Sequence, residues 1–157
     1  MDLELPGPVR AFWSAFAASA PADAVSRFYE VFHFDDNERS ANGLADLVLS
    51  GAKRATAGLV WVFEAKGRPI PKPGDLSVVT RWDGQPVCVI ETRRVEIRPY
   101  DEVDADFAAT EGEGDGSLRY WREAHWRFFT RECQRIGRTM DPKMPVVCER
   151  FEVVYRA

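Results

Sequence analysis

Leu76-Ser77-Val78-Val79-Thr80-Arg81-Trp82-Asp83-Gly84-Gln85-Pro86-Val87-Cys88-Val89-Ile90 is the stretch that decides how this chain folds. Two runs rich in β-branched residues flank Asp83-Gly84, a dipeptide that supplies the positive φ a tight hairpin turn needs. The spacing predicts strands over Leu76–Trp82 and Val87–Ile97. Alternation places Val87 and Val89 on one face, with Cys88 and Ile90 on the other. A hairpin pairs its strands antiparallel, which argues against a doubly wound parallel sheet.

Downstream of the hairpin, Arg98–Val103 breaks the strand pattern, and Asp104–Thr110 is a short helical turn. Glu111-Gly-Glu-Gly-Asp-Gly116 is an acidic, flexible loop. Ser117 caps a long helix that runs to about Gly137. On that helix Trp121, Ala124, His125 and Phe128 form a core stripe. Arg127, Arg131, Arg135 and Arg138 form a second stripe. It reads first as a solvated face. The other reading is a path for a phosphate backbone, with Trp82, Trp121 or Trp126 available to stack a base. Asp141–Pro145 is a stiff loop, and Val146–Tyr155 is the closing strand.

Upstream, the prolines of Gly67–Gly74 forbid regular pairing. Thr56–Phe63 reads as a strand. Ser40–Ser50 reads as a helix with Leu44, Leu47 and Val48 inward and Gly51 as its left-handed cap. Aromatic residues at helical spacing predict two more helices, Pro8–Ala20 and Pro21–Phe32. The class is therefore α+β. A mixed, mostly antiparallel sheet curls into a small barrel with helices around it.

The 157 residues make one core-forming chain of formal charge −4 and pI near 5.3. That balance opposes broad, non-specific binding to long nucleic acid, though a local basic groove fits within it. Met1–Pro6 shows no signal-peptide pattern, and no apolar run reaches membrane-spanning length. Cys88, Cys133 and Cys148 are odd in number and far apart, so they read as reduced thiols in a cytoplasmic protein. Nothing in the sequence points to an oligomeric state.

Chemistry concentrates in Ser50-Gly-Ala-Lys-Arg-Ala-Thr56. An amine, a guanidinium and a hydroxyl follow a helix cap and precede a strand, a rigid mount on both sides. Gly51-x-Lys53-x-x-Thr56 resembles the G-x-K-x-x-T signature of ASCH domains. The run Glu111-Gly-Glu-Gly-Asp-x-Ser117-Leu-x-Tyr120-Trp-Arg-x-Ala-His125-x-x-Phe-Phe resembles one branch of the same family. The resemblance spans about Ser40 to Tyr155. It implies a domain over 40–157, with residues 1–39 as an N-terminal helical extension. It also implies a PUA-like fold, a small β-barrel with helices around a cleft. The family is associated with RNA. Some members are amidohydrolases that deacylate acetylcytidine nucleosides, and at least one cuts single-stranded RNA.

In the amidohydrolase branch a lysine, a threonine and a glutamate are catalytic. The resemblance puts them on Lys53, Thr56 and Glu111, with Glu113 as the alternative acid. Thr56 needs a base to become a nucleophile. Lys53 serves if desolvation and the neighbouring Arg54 keep its amine neutral. Glu111 would return the proton to the leaving amine. Arg54, or backbone N–H groups near Gly51, would hold an oxyanion. Tyr120 and Trp82 are further candidates for substrate contact. The expected partner is a modified nucleoside or single-stranded RNA, and the alternative is a non-catalytic RNA or nucleotide binder. A domain that only mediates protein contacts is the remaining reading.

No metal or other cofactor is expected. Glu111, Glu113, Asp115 and Gly116 match positions of a calcium loop. The position needing a bidentate glutamate is Arg122, and that fails. His33 and His125 have no clustered ligand in sequence.

Overall fold

A computed structural model describes residues 4–157. The reading of Met1–Leu3 as free of a leader pattern lies outside the described residues. The Leu76–Ile90 hairpin forms as its sequence predicts. Strands β3 (Leu76–Thr80) and β4 (Pro86–Pro99) pair antiparallel, with Val78 opposite Val89. Gly84 takes φ 91° in the turn, and the Gln85 N–H donates to Asp83 Oδ1 at 2.9 Å. Strand β5 (Pro145–Arg156) runs antiparallel along β4 from Cys88 to Pro99.

On its other side β5 pairs antiparallel with β2 (Ala55–Leu59), and Thr56 stands opposite Glu149. Strand β1 (Phe28–Phe32) pairs parallel with β3. The sheet order is β1-β3-β4-β5-β2. The α+β class and mixed, mostly antiparallel sheet are as expected, but the sheet does not close into a barrel. Closure would need a ladder between the five-residue edge strands β1 and β2, and none forms among the described residues. Residues of both edges line a single cleft instead, so the open seam is where the cavity lies.

Helices cover both faces. Helix α1 (Gly7–Ser19) packs Val9, Trp13 and Phe16 on Leu76, Val78 and Val89. Helix α2 (Glu38–Ser50) covers the opposite face with Ala45 and Val48 against Val79, Cys88 and Ile90. Strand β3 is consequently buried throughout. Val87 adjoins the irregular register at Thr80 and Pro86, and it packs on the α2 side rather than with Val89. The inward face of α2 is Ala41, Ala45 and Val48; Leu44 and Leu47 are only half-buried.

Two expected elements differ. Pro21–Phe32 is not a helix: a single 3₁₀ turn, Val25–Arg27, leads into β1. Phe28, Tyr29, Val31 and Phe32 are aromatic or β-branched and suit a pleated surface, and Val25 is exposed rather than core. The strand predicted over Thr56–Phe63 stops at Leu59, where α3 (Val60–Ala65) begins. Trp61 and Val62 pack there on the cluster that contains Phe129. A short apolar run fits either state, and packing decides.

Helices α4 (Ala105–Glu111) and α5 (Leu118–Ile136) follow the hairpin. Ser117 Oγ accepts from the Tyr120 N–H at 3.1 Å, as the capping pattern predicts. The buried line of α5 is Trp121, His125, Phe129 and Cys133. Among the described residues no helix is long and apolar enough to cross a membrane.

Candidate functional site

The cleft is built where the end of α2 meets the end of α4. Gly51 closes α2 at φ 85°, and the Lys53 N–H returns to Leu47 O at 3.1 Å. The Arg54 N–H then donates to Thr110 O at 2.9 Å, tying this segment to α4. Helix α4 ends at Gly112, φ 67°. A Cβ on Gly112 would lie 1.9 Å from Ala52 O, so only glycine permits this approach. Two backbone segments far apart in sequence are thereby pressed together, and Lys53 meets Glu111.

Lys53 Nζ donates to Ala55 O at 2.6 Å and reaches Glu111 Oε2 and Glu113 Oε2, both at 3.4 Å. The three acceptors match the three donors of an ammonium group. The Phe34 ring lies 5.2 Å from the nitrogen. Lys53 and Glu111 are almost completely buried, at 2% and 1% exposure. His125 Nε2 stands 3.3 Å from Glu111 Oε1. Its Nδ1 lies 2.9 Å from Trp121 O, and its ring stacks on Trp121 at 4.2 Å. A carbonyl and a carboxylate on the two ring nitrogens both ask for a donor, which favours the imidazolium form.

Charge follows from this cage. Burial opposes the Lys53 charge, but Glu111 and Glu113 outweigh it and hold the amine above the ordinary lysine value. The neutral amine expected for a general base is therefore not met. Arg54, invoked to depress Lys53, is exposed and does not line the cleft. Burial would raise Glu111, yet Lys53 and His125 bring it well below the usual carboxylate range. Burial opposes the His125 charge too, and Glu111 overcomes it. Glu113 differs: burial and its carboxylate neighbour push it up to about 7, against the pull of Lys53.

The cleft encloses about 450 Å³, within the ~300–1,000 Å³ usual for small-molecule sites. Lys53, Thr56, Glu111, Glu113 and Tyr120 all line it. Gly51, Arg54 and Trp82 do not. Gly51 is spent on the helix cap, and the Arg54 carbonyl accepts from the Phe151 N–H at 3.0 Å while its side chain faces water. Trp82, 41% exposed, packs on the outer side of His33 at 4.8 Å, one ring away from the cavity.

Sequence reasoning missed His125 as a partner of Glu111, and missed Glu149, Glu30 and Arg68 on the cleft wall. The histidine lay within the matched run. The others become visible only once the strands are paired.

Glu111, Glu113 and His125 offer ligand atoms within 4.8 Å of one another, the spacing of a metal cluster. The Lys53 ammonium sits against both carboxylates, so a divalent cation would have to displace a buried positive charge. The acidic loop is organised on itself instead. Asp115 Oδ1 accepts from the Ser117 N–H at 2.9 Å, and the Gly116 N–H donates to Glu113 O at 2.9 Å. The arginine stripe is largely committed: Arg131 Nε and Arg135 reach Asp36 Oδ2 at 2.7 and 2.8 Å. Arg127 lines the cleft and has no ion pair among the described residues.

A family model described as the ASCH domain matches residues 30–155. No curated protein matches the chain. Among solved structures, an ASCH domain from Lactobacillus crispatus is 39% identical with TM-score 0.90, covering 98% of each chain. A protein from Enterococcus faecalis is 32% identical with TM-score 0.83, covering 95% of this chain and 89% of its own.

Proposed function

We propose, for a chain that belongs to the ASCH domain family, that its cleft hydrolyses an acylated nucleoside of the acetylcytidine kind or a short single-stranded RNA. The family is linked to RNA binding. The observation that carries the hydrolytic reading is the buried Lys53 ammonium on Glu111 and Glu113, with Thr56 on the wall of the same cleft. A buried cation beside the cleft is suited to offset, through its field, the charge of the oxyanion that forms when a carbonyl is attacked. Glu111 positions that cation. Glu113, pushed up to about 7, lines the same cleft and can hold a proton with which to hydrogen-bond a bound substrate near neutral pH. Thr56 supplies the hydroxyl. A cavity of about 450 Å³ suits one nucleoside better than a length of strand.

The experiment is incubation of purified protein with acetylcytidine and, separately, with a short single-stranded RNA. Cytidine and acetate, or cut RNA, are the expected products. Saturable RNA binding without either product would select the second reading, a non-catalytic RNA or nucleotide binder. The exposed Tyr120 on the cleft lining and the exposed Trp82 beyond it favour that alternative, because each offers a ring for a base.

A further inference from the structure

We propose that Glu149 is the proton acceptor for the Thr56 hydroxyl, a catalytic role that rests on the hydrolytic reading above. Thr56 and Glu149 are direct partners across the antiparallel β2–β5 ladder. Residues so opposed project from the same face, with Cβ atoms about 4.5–5.5 Å apart. Both side chains line the cleft. Each is mounted on a strand, so their separation is set by the ladder rather than by a loop.

The other cleft groups are already committed. Lys53 is held as an ammonium with all three donors used. Glu111 is taken by Lys53 and His125, and Glu113 by Lys53. Glu149 has no cation partner among the described residues. One oxygen, Oε2, accepts the Thr92 hydroxyl at 2.7 Å. The second oxygen makes no hydrogen bond among the described residues.

A half-buried carboxyl with no ion pair, on the wall of a cleft, is costly to keep ionised, and such groups cluster at functional sites. Burial pushes Glu149 up to about 7. The groups that face it come from four sides: Glu30 on β1 and Asp75 before β3 raise it further, while Thr92 on β4 and Lys53 draw it down. It can therefore be a carboxylate at neutral pH and still hold a proton readily, as a general base must.

Glu149 takes the Thr56 proton as Oγ forms a bond to the acyl carbon, and the carbonyl π pair moves onto oxygen beside Lys53. Collapse restores the carbonyl and breaks the C–N bond, and the leaving nitrogen takes the proton from Glu149. A water then gives its proton to Glu149 and its hydroxyl to the acyl carbon. Thr56 leaves with that proton. Amide and water become acid and amine.

The test is Glu149→Gln, with fold checked by thermal melting. With acetylcytidine, kcat should fall by roughly two to four powers of ten while KM moves far less. The rise of kcat/KM through about pH 7 should vanish with it. Thr92→Val removes a hydrogen bond that favours the carboxylate, so it should move that rise to higher pH rather than abolish it. Normal turnover and an unchanged profile in folded Glu149→Gln would overturn the assignment and leave the hydrolase reading standing.

If wild type turns over no acylated nucleoside, that reading fails, and a second arm still tests Glu149. Acetylation of Thr56 by p-nitrophenyl acetate, read by intact mass and peptide mapping, needs no natural substrate. It should be clearly slower in Glu149→Gln. Equal labelling of the two proteins, or no labelling of Thr56 in wild type, would overturn the role.

Discussion

At the scale of single residues, the site depends on a few side chains and on one missing Cβ. Gly51 and Gly112 both sit at positive φ, but a Cβ on Gly51 meets nothing within 4 Å whereas one on Gly112 meets the Ala52 carbonyl. Gly51→Ala should therefore cost only the backbone preference, about 1 kcal/mol. Gly112→Ala adds a steric clash that must move the α4 end away from Lys53, and should cost about 2–4 kcal/mol. Urea unfolding of the two variants checks the difference. Equal costs would mean that the close approach at Ala52 is not a constraint. Lys53→Met makes the complementary point. It leaves Glu111 buried beside Glu113 with its main cation gone, and should destabilise by about 3–5 kcal/mol at neutral pH. A variant as stable as wild type would show that the cage is not held by charge.

At the scale of elements, each functional side chain is delivered by a terminus or a strand pairing. Asp104 Oδ1 accepts from the Phe107 N–H at 2.8 Å and caps α4, the seven-residue helix that carries Glu111. Asp104→Ala should cost about 1 kcal/mol. It should also loosen the α4 end, seen as faster amide exchange at Thr110 and Glu111; unchanged exchange there would separate the cap from the site. Such signals are local, and so they were legible. Gly51, Ser117 and Gly137 mark helix ends within one turn, and Asp83-Gly84 marks its hairpin. Strand β1 was not legible, because its state depends on a parallel partner, β3, more than 40 residues on. Val25, Phe28 and Phe32 keep a helical spacing that the pairing overrides. The same limit hid Glu149. Nothing near it in sequence marks it, and only the β2–β5 register puts it opposite Thr56. Lys53, Thr56 and Glu111 were found through family resemblance, whereas the charge on Lys53 required three-dimensional contacts.

At the scale of the whole molecule, an open sheet leaves a seam, and the seam holds buried charge. This gives stability an unusual dependence on pH. Glu113 and Glu149, pushed up to about 7, bind protons in the folded state that the unfolded chain releases from its ordinary value of 4.5. Their stabilisation is complete below that ordinary value and is lost as pH rises through about 7. His125, raised above 6.5, acts in the same sense at higher pH. Glu111 is lowered, so its contribution is present above 4.5 and is lost only as pH falls through its folded value. The melting temperature should therefore peak at about pH 4.5 and decline from there towards about pH 8. Glu149→Gln should flatten part of that decline. A melting temperature that rises from about pH 5 to 8 would contradict the assigned protonation of the seam. Lys53 is held in this seam as a fixed cation. Selective ¹⁵N labelling of lysine, with the Lys53 Nζ shift followed from about pH 6 to 10, tests it most directly. An ammonium shift that persists beyond about pH 9 is the predicted result, and conversion to the neutral amine by about pH 8 would contradict it.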